Sequence, residues 1–345
     1  MSGVKKETKF LIIKLGAIGD VVMASSMLHA IKENYSNPHI TWVCGKIVYP
    51  LLNLMGGIDE FIIIDEEHLL RGKFLSKAKE LLKVWWSLLG RHFDFIIIGY
   101  SDSRYKILTL TCFGKRKTFN RNLSKRFFPV PGRYHGDEYC RLVLDTDGPN
   151  LKPAILPEVK ISTPSNLKSL FVPKTSIVIA LAPGGAKNIL SDDFIRRWPI
   201  KNYVELAERL INDRCKVIIT GSPSDEWVCK EFQNLDIINL VGKTSLIDIL
   251  EIYAQCDLVI THDSGPMHLA ILAGTNLIAL FGPTNPYEKV PKSDKFKILW
   301  GGKDLPCRPC YDGKYYAKCD NNLCMQKISV DQVLKEIYKI FEKTL

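Results

Sequence analysis

The chain has 345 residues, of which 46% are hydrophobic and 24% are charged, and its formal net charge at pH 7 is +10. This length favours two domains that each bury a core, and the ordinary apolar content excludes a disordered chain and an integral membrane protein. The positive charge implies acidic partners. Because no nucleic-acid-reading motif is present, we expect phosphorylated ligands and an anionic membrane surface rather than nucleic acid.

The N-terminus and the cysteines indicate the compartment. The opening MSGVKKETKF has no apolar core, so no signal peptide is predicted, and no apolar run reaches the length that spans a membrane. We expect a protein on the cytoplasmic side. Six cysteines lie in predicted core elements and are expected to be reduced core thiols: Cys44, Cys112, Cys140, Cys215, Cys229 and Cys256.

The first half of the chain alternates short apolar runs with stretches of helix length. Strands are predicted over 10–13, 40–44, 61–64 and 95–99, which favours a doubly wound parallel sheet. The sequence KLGAIGD joins the first strand to the first helix. Its two glycines let the backbone pass close to a ligand, and Asp20 falls at the carboxyl end of the strand.

Two basic segments follow in the same half. Residues 73–92, KFLSKAKELLKVWWSLLGRH, are amphipathic and carry two tryptophans, and residues 115–126 read KRKTFNRNLSKR. One interpretation is a crossover helix and a solvated loop. The other is a membrane-surface face that also receives an acidic lipid acceptor. The two interpretations have equal weight.

A proline-rich, weakly periodic stretch over 145–175 predicts the connection between domains 1–160 and 161–328. The alternation then restarts, with strands predicted over 177–182, 216–220, 237–241, 258–260 and 276–281. Each of these strands is followed by a loop at its carboxyl end, so the loops are expected to converge on one edge of the sheet. Residues 329–345 form a separate C-terminal segment with a helix predicted over 330–341.

Residues 257–284, DLVITHDSGPMHLAILAGTNLIALFGPT, predict strand, loop, helix, loop and strand. Ser264 is a plausible N-cap of that helix. A helix N-terminus at the end of a buried strand suits an anion such as a diphosphate, and Asp263 and His268 flank it, where they can hold sugar hydroxyl groups. The alternative is an ordinary βαβ turn with Asp263 as a cap, and it has equal weight.

These residues resemble the bacterial lipopolysaccharide heptosyltransferases of glycosyltransferase family 9. DSGPMHLA and FGPT are similar to the D-[ST]-G-x-x-H-x-A and F-G-x-T signatures, and KLGAIGD, RRWP and a cysteine-bearing tail occur in the matching order. The resemblance implies an α/β protein with two Rossmann-like doubly wound domains facing a central cleft, the GT-B type. It implies inverting transfer of heptose from ADP-heptose to an acidic, lipid-linked inner-core acceptor (Kdo/heptose-lipid A). In that fold the C-terminal helix often packs back on the first domain.

The resemblance also assigns roles on the acceptor side, which is the first domain. Asp20 matches the family's general base, and Lys14, Gly16 and Gly19 form the loop that carries it. Without the resemblance, Asp20 would be taken as the N-cap of the first helix.

The donor side is the second domain. The diphosphate is expected to meet backbone N–H groups at Ser264 and Gly265, the loop with Gly184 and Gly185, and Arg196. Arg196 stands where the family has Lys, and Arg197 could substitute for it.

Asp225 or Glu226 is expected to hold the ribose, and main-chain groups around Thr244 to meet the base. Fixed donors leave no need for a divalent metal.

The tail carries Cys307, Cys310, Cys319 and Cys324 in a C-x2-C-x8-C-x4-C spacing. This spacing is compatible with structural zinc, and reduced thiols are the favoured alternative.

Two other functions remain open. One is a sugar-nucleotide epimerase of the same fold, which needs several acid and base groups around one sugar. The other is a non-catalytic nucleotide-sugar or lipid-binding protein, which needs no base at Asp20.

Overall fold

The computed structural model describes residues 7–120, 122, 127–146, 152–161, 176–312 and 315–341. The chain divides into two compact units, Met1–Lys160 and Ile161–Leu345. Each unit contains one parallel sheet with helices in the connections between its strands.

The first unit has a five-stranded sheet in the order β3-β2-β1-β4-β5, with all neighbouring strands parallel. This order is that of a doubly wound nucleotide-binding fold, in which ligands bind at the carboxyl ends of the strands. Its strands are β1 Thr8–Ile13, β2 Pro38–Gly45, β3 Glu60–Ile64, β4 His92–Ile98 and β5 Phe113–Thr118. Its helices are α1 Ile18–Ala24, α2 Ser26–Asn34, α3 Tyr49–Met55, α4 Glu66–Arg71, α5 Phe74–Leu88 and α6 His135–Leu144, with a 3-10 helix over Ser103–Thr109.

The second unit has a six-stranded parallel sheet in the order β11-β10-β9-β6-β7-β8, which repeats the doubly wound pattern. Its strands are β6 Val178–Ala182, β7 Lys216–Ile219, β8 Ile238–Asn239, β9 Leu258–His262, β10 Leu277–Phe281 and β11 Phe296–Trp300. Its helices are α7 Ile200–Asn212, α8 Leu246–Gln255, α9 Gly265–Ala273, α10 Leu323–Gln326 and α11 Val330–Phe341, with 3-10 helices over Phe194–Arg196, Pro223–Phe232 and Pro286–Glu288.

The central strands are apolar runs because helices in the crossover connections cover both faces of a parallel sheet. Every residue of β6, β9 and β10 is buried. In the described part of the chain, no helix combines the length and the apolar character needed to cross a membrane.

Strand β5 differs from the sequence-based prediction. It overlaps the start of the 115–126 segment, for which a solvated loop or a membrane-surface face was expected, and most of its side chains are exposed. Charged side chains suit the edge of a sheet, where they discourage pairing with another chain. The remainder of the basic run is only partly described, because residue 121 and residues 123–126 lie outside the described residues.

The C-terminal helix α11 has the predicted bounds and contributes to the core of the second unit. Its buried residues Val333, Leu334 and Ile337 belong to the core of the second unit, together with Leu206 and Leu210 of α7. The apolar face of α11 is thus buried in the core of the second unit, and the expectation that this helix packs back on the first domain stays a prediction.

This packing generates a stability prediction. Ile337→Ala removes a fully buried side chain and should lower the free energy of unfolding by about 2–5 kcal/mol. Lys335→Ala, on the exposed side of the same helix, should change it by less than about 0.5 kcal/mol. Urea unfolding followed by circular dichroism measures both. Equal effects would show that α11 is not part of the core.

Candidate functional site

An ion pair between a buried lysine and a partly exposed aspartate lies at the carboxyl end of β1. Lys14 is only 1% exposed, and its Nζ donates to Oδ2 of Asp20 at 2.8 Å. Asp20 lies in the first turn of α1, whose N-cap is Ala17, so the alternative in which Asp20 caps this helix is wrong. The predicted loop residues Gly16 and Gly19 lie between the two charged side chains along the chain.

Aromatic side chains surround the Lys14 ammonium group. Its Nζ lies 3.9 Å from the ring centroid of Tyr100 and 5.9 Å from that of Tyr139. The hydroxyl group of Tyr100 donates to the carbonyl oxygen of Gly16 at 3.1 Å, which ties the loop to the end of β4. Burial is the largest single influence and disfavours the charged form of Lys14, but Asp20 and Tyr139 together outweigh it, so the pKa of Lys14 lies above its ordinary value.

The sequence analysis missed both tyrosines. A signal existed for Tyr100, because it follows a predicted strand and therefore falls at the edge of the sheet where ligands bind. Tyr139 lies in the middle of α6, and its approach to Lys14 depends on how that helix packs.

In the second unit, the glycine loop after β6 is tied to the loop after β7. The N–H of Gly185 donates to Oδ1 of Asp225 at 2.7 Å, and Oδ2 of Asp225 accepts from the N–H and the hydroxyl group of Ser222. A side chain at Gly184 would collide with Asp225, because its Cβ would lie 2.5 Å from the Asp225 Cγ. Asp225 is therefore committed to holding the loops, whereas the neighbouring Glu226 is exposed.

Asp263 lies buried after the end of β9 and is held from two directions. Its Oδ2 accepts from the hydroxyl group of Thr284 at 2.7 Å and lies 3.6 Å from Nη1 of Arg196. Burial is the largest single influence and by itself would raise the pKa of Asp263. Arg196 and Lys289, with smaller contributions from Thr284 and His268, together outweigh it, so the pKa lies below its ordinary value. Thr284 belongs to the FGPT motif, yet the sequence alone gave it no role.

The two consecutive arginines make different contacts. Arg196 donates to the carbonyl oxygen of Asp263 at 3.0 Å, and its Nε is buried without a hydrogen-bond partner among the residues that the structure describes. Arg197 donates from Nε to the carbonyl oxygen of Gly185 at 2.9 Å, and its guanidinium lies 5.6 Å from the ring centroid of Trp227. Arg196 thus belongs with the β9 loop, and Arg197 with the glycine loop.

The start of α9 and the loop before α8 contain further predicted residues. Ser264 is the N-cap residue of α9, which begins at Gly265, but its hydroxyl group donates to the carbonyl oxygen of His262 at 3.2 Å instead of capping the helix. Thr244 has a buried Oγ1 with no hydrogen-bond partner in the described ranges. Burial, together with the charge of Arg196, lowers the pKa of His262 to about 3, so this imidazole is neutral.

The cysteine tail gives no support to a zinc site. All four cysteines are described, and the described residues contain no group of three or more His, Cys, Asp or Glu placed to hold a metal ion. Cys307 is exposed and the other three are partly buried. Burial raises the pKa of the Cys310 and Cys324 thiols, which favours their protonated form.

Comparisons with known proteins agree with this architecture. The chain is 28% identical over 335 residues to lipooligosaccharide heptosyltransferase 2 of Campylobacter jejuni, covering 94% of this chain and 96% of that protein. The crystal structure of a family 9 glycosyltransferase from Veillonella parvula superposes with a TM-score of 0.73 at 22% identity, covering 98% of each chain. The Escherichia coli ADP-heptose lipopolysaccharide heptosyltransferase II superposes with a TM-score of 0.71 at 21% identity, covering 96% of this chain and 98% of that one.

These likenesses confirm the predicted GT-B type of fold with two doubly wound parallel sheets. The family model for glycosyltransferase family 9 (heptosyltransferase) matches residues 139–319. The resemblance inferred from the short motifs is therefore confirmed: the chain belongs to glycosyltransferase family 9, the heptosyltransferase family.

Proposed function

We propose that the protein is an inverting heptosyltransferase that moves a heptose from ADP-heptose to an acidic, lipid-linked acceptor of the lipopolysaccharide inner core (Kdo/heptose-lipid A). Membership of the family and the names of the C. jejuni and E. coli relatives support the donor and the acceptor. The observation that carries the proposal is the Asp20 carboxylate, which a buried lysine holds at the ligand-binding edge of the first sheet.

Asp20 acts as the general base of the proposed reaction. An acceptor hydroxyl group must lose its proton as it attacks the anomeric carbon, and a carboxylate can take that proton. The Nζ of Lys14 lies 2.8 Å from Oδ2 of Asp20, so a buried cation holds this carboxylate in position. A protein that only bound a nucleotide-sugar would need no general base at this position.

The second unit binds the donor. Asp263 and His268 contact the sugar hydroxyl groups, while Arg196 and the N-terminus of α9 at Ser264 and Gly265 stabilise the departing diphosphate. Glu226 is preferred over Asp225 for the ribose, because the carboxylate of Asp225 is already occupied by loop hydrogen bonds. Gly184 and Gly185 shape the loop, and the unpartnered hydroxyl group of Thr244 is available to the nucleoside. With these fixed donors the reaction proceeds without a divalent metal.

We also propose that the protein attaches to the cytoplasmic face of the membrane through helix α5. Five large apolar side chains on and just after this helix are exposed, and Trp86 is 81% exposed: Phe74, Leu75, Leu82, Trp86 and Leu89. Exposed lysines accompany them at positions 73, 77, 79 and 83. The acidic residue of the helix, Glu80, is buried and accepts from the N–H of Asp65 at 3.0 Å, so it does not offset these cations.

The second basic run contributes less to this surface than its sequence indicates. Lys117 is buried and donates to the carbonyl oxygen of Val143 at 2.9 Å, and Lys115 pairs with Asp145 at 2.8 Å. The guanidinium of Arg116 donates to the carbonyl oxygen of Cys112 at 2.9 Å. Because these cations hold the β5 edge together, the proposed membrane surface is limited to α5.

The transfer reaction tests the proposed function. Purified protein should release ADP from ADP-heptose only when a Kdo-bearing lipid A acceptor is present, and EDTA should not reduce the rate. Asp20→Asn should lower turnover by about 10²-fold or more while donor binding stays unchanged, because it removes the base and retains the shape. If ADP release depends on the lipid acceptor but Asp20→Asn turns over as fast as the wild type, Asp20 is not the base. Loss of activity in EDTA that magnesium restores would contradict the metal-independent mechanism.

Donor binding tests the assignment of the second unit. Thr284→Val removes the hydroxyl group that Asp263 accepts from and should weaken ADP-heptose binding about 10-fold, because a hydrogen bond to a charged group is lost. Calorimetric titration measures this affinity. Thr275→Val is the matched control, since Thr275 donates to Tyr253 instead. A change in acceptor affinity with normal donor affinity would mean that the two roles are reversed.

Vesicle binding tests the membrane surface. The protein should sediment with vesicles that contain phosphatidylglycerol at low salt and leave them as salt is raised, whereas neutral vesicles should not retain it. Trp86→Ser combined with Lys83→Glu should weaken the attachment at least about 10-fold. Lys335→Glu, on an exposed lysine of the second unit, is the charge control. Equal retention of both variants would exclude α5 as the attachment surface.

A further inference from the structure

Glu66, the first residue of α4, is a buried acid that no step of the proposed function uses. It is only 5% exposed, and its Oε2 is buried with no hydrogen-bond partner among the described residues. The acidic residues on either side of Glu66 in the chain have other environments. Asp65 caps α4 and pairs with Lys46 at 2.6 Å, and Glu67 is exposed to solvent.

Two glycines make room for the Glu66 carboxyl group. A Cβ built on Gly45 would lie 1.0 Å from Oε2, so any side chain there would occupy the place of this oxygen. A Cβ built on Gly16 would lie 3.2 Å from Oε1. Gly45 ends β2 and Gly16 follows β1, which puts the carboxyl group at the carboxyl ends of neighbouring strands, the edge where doubly wound sheets bind ligands.

The same carboxyl group borders the loop that carries the base. Gly16 begins the short segment that ends at Asp20, and its carbonyl oxygen accepts from the hydroxyl group of Tyr100. Glu66 therefore approaches the first residues of the loop, whereas Lys14 holds Asp20 at its far end.

A carboxyl group in this position is costly unless it has a partner. Burial and, to a smaller extent, the charge of Asp65 raise the pKa of Glu66 while Lys46 lowers it, and the net pKa is about 7. The buried thiol of Cys44 also faces it. An amide or an apolar side chain would fill the same space without the penalty of burying an unpaired acid. A ligand can supply the hydrogen-bond partner that Glu66 lacks among the described residues.

We propose that the Glu66 carboxyl group binds a hydroxyl group of the acceptor saccharide and thereby orients the acceptor toward Asp20. This inference rests on the proposed function and adds a residue to its acceptor side. In the neutral form the carboxyl group both donates and accepts a hydrogen bond, as a sugar hydroxyl group requires. In the ionised form it places a negative charge beside an acidic acceptor, so acceptor affinity falls as pH rises through about 7.

Two variants separate this role from simple space filling. Glu66→Gln mimics the neutral acid and should bind the acceptor normally at pH 6, without the loss of affinity that the wild type shows at pH 8.5. Glu66→Leu fills the space without a polar group and should raise the acceptor KM about 10-fold at both pH values, with the donor KM unchanged. A purely structural role predicts wild-type acceptor kinetics for Glu66→Leu, and that result would overturn the proposal.

Folding is monitored through the pH dependence of stability. The folded-state pKa of Glu66 lies above the unfolded value, so the native state binds more protons and the residue destabilises the fold as pH rises from about 4.3 to about 7. Glu66→Gln should therefore raise the melting temperature more at pH 8 than at pH 4.5. If neither variant folds, the pH dependence of the wild type tests the proposal. An acceptor affinity that is constant between pH 6 and pH 8.5 would exclude it.

A binding measurement distinguishes failure of this inference from failure of the proposed function. Calorimetric titration with O-deacylated Kdo-lipid A requires no turnover. If the wild type transfers heptose and binds the acceptor no better than Glu66→Leu does, Glu66 is not part of the acceptor site. The proposed heptosyltransferase function would then still stand. Binding that Glu66→Leu weakens, without any heptose transfer by the wild type, would support the Glu66 subsite and refute the function.

Discussion

A lysine ammonium group buried at the end of the first strand is the constraint on which the acceptor-side site depends. Removing a cation from water is costly unless an anion compensates it, and Asp20 is that anion for Lys14. The ring of Tyr100 below the ammonium group adds a cation–π contact, and its hydroxyl group anchors Gly16. The ion pair therefore fixes the position of the Asp20 carboxylate relative to the end of β1.

In the second unit the buried charge is negative instead of positive. Asp263 is buried as an acid, and Arg196 and Thr284 compensate it from two other loops. In both units the charged group lies just beyond the buried carboxyl end of a strand, because the carboxyl ends of parallel strands bring loops from distant parts of the chain together. The glycine loop follows the same rule, since Asp225 joins it to the loop after β7.

The basic side chains of the protein have different roles. Arg196 compensates the buried Asp263, Lys14 is itself buried and paired with Asp20, and the basic strand β5 is stabilised by Asp145 and by main-chain carbonyl oxygens. Helix α5 differs from these elements, because its lysines accompany exposed apolar side chains and its acid points inward. Net charge alone could not distinguish a helix that faces a membrane from an edge strand that holds its own sheet together.

The sequence by itself determined the family, the alternation of strands and helices, and the motifs around Asp20 and Asp263, because apolar period and short glycine-rich turns are local properties. Tertiary structure alone decided which groups those acids meet. The contacts of Thr284 and Tyr100 with the two motifs span 21 and 84 residues of sequence, so only the register of the sheets brings them together. The same holds for α11: its period predicts an apolar face, but the surface that buries this face depends on the shape of the second unit's core.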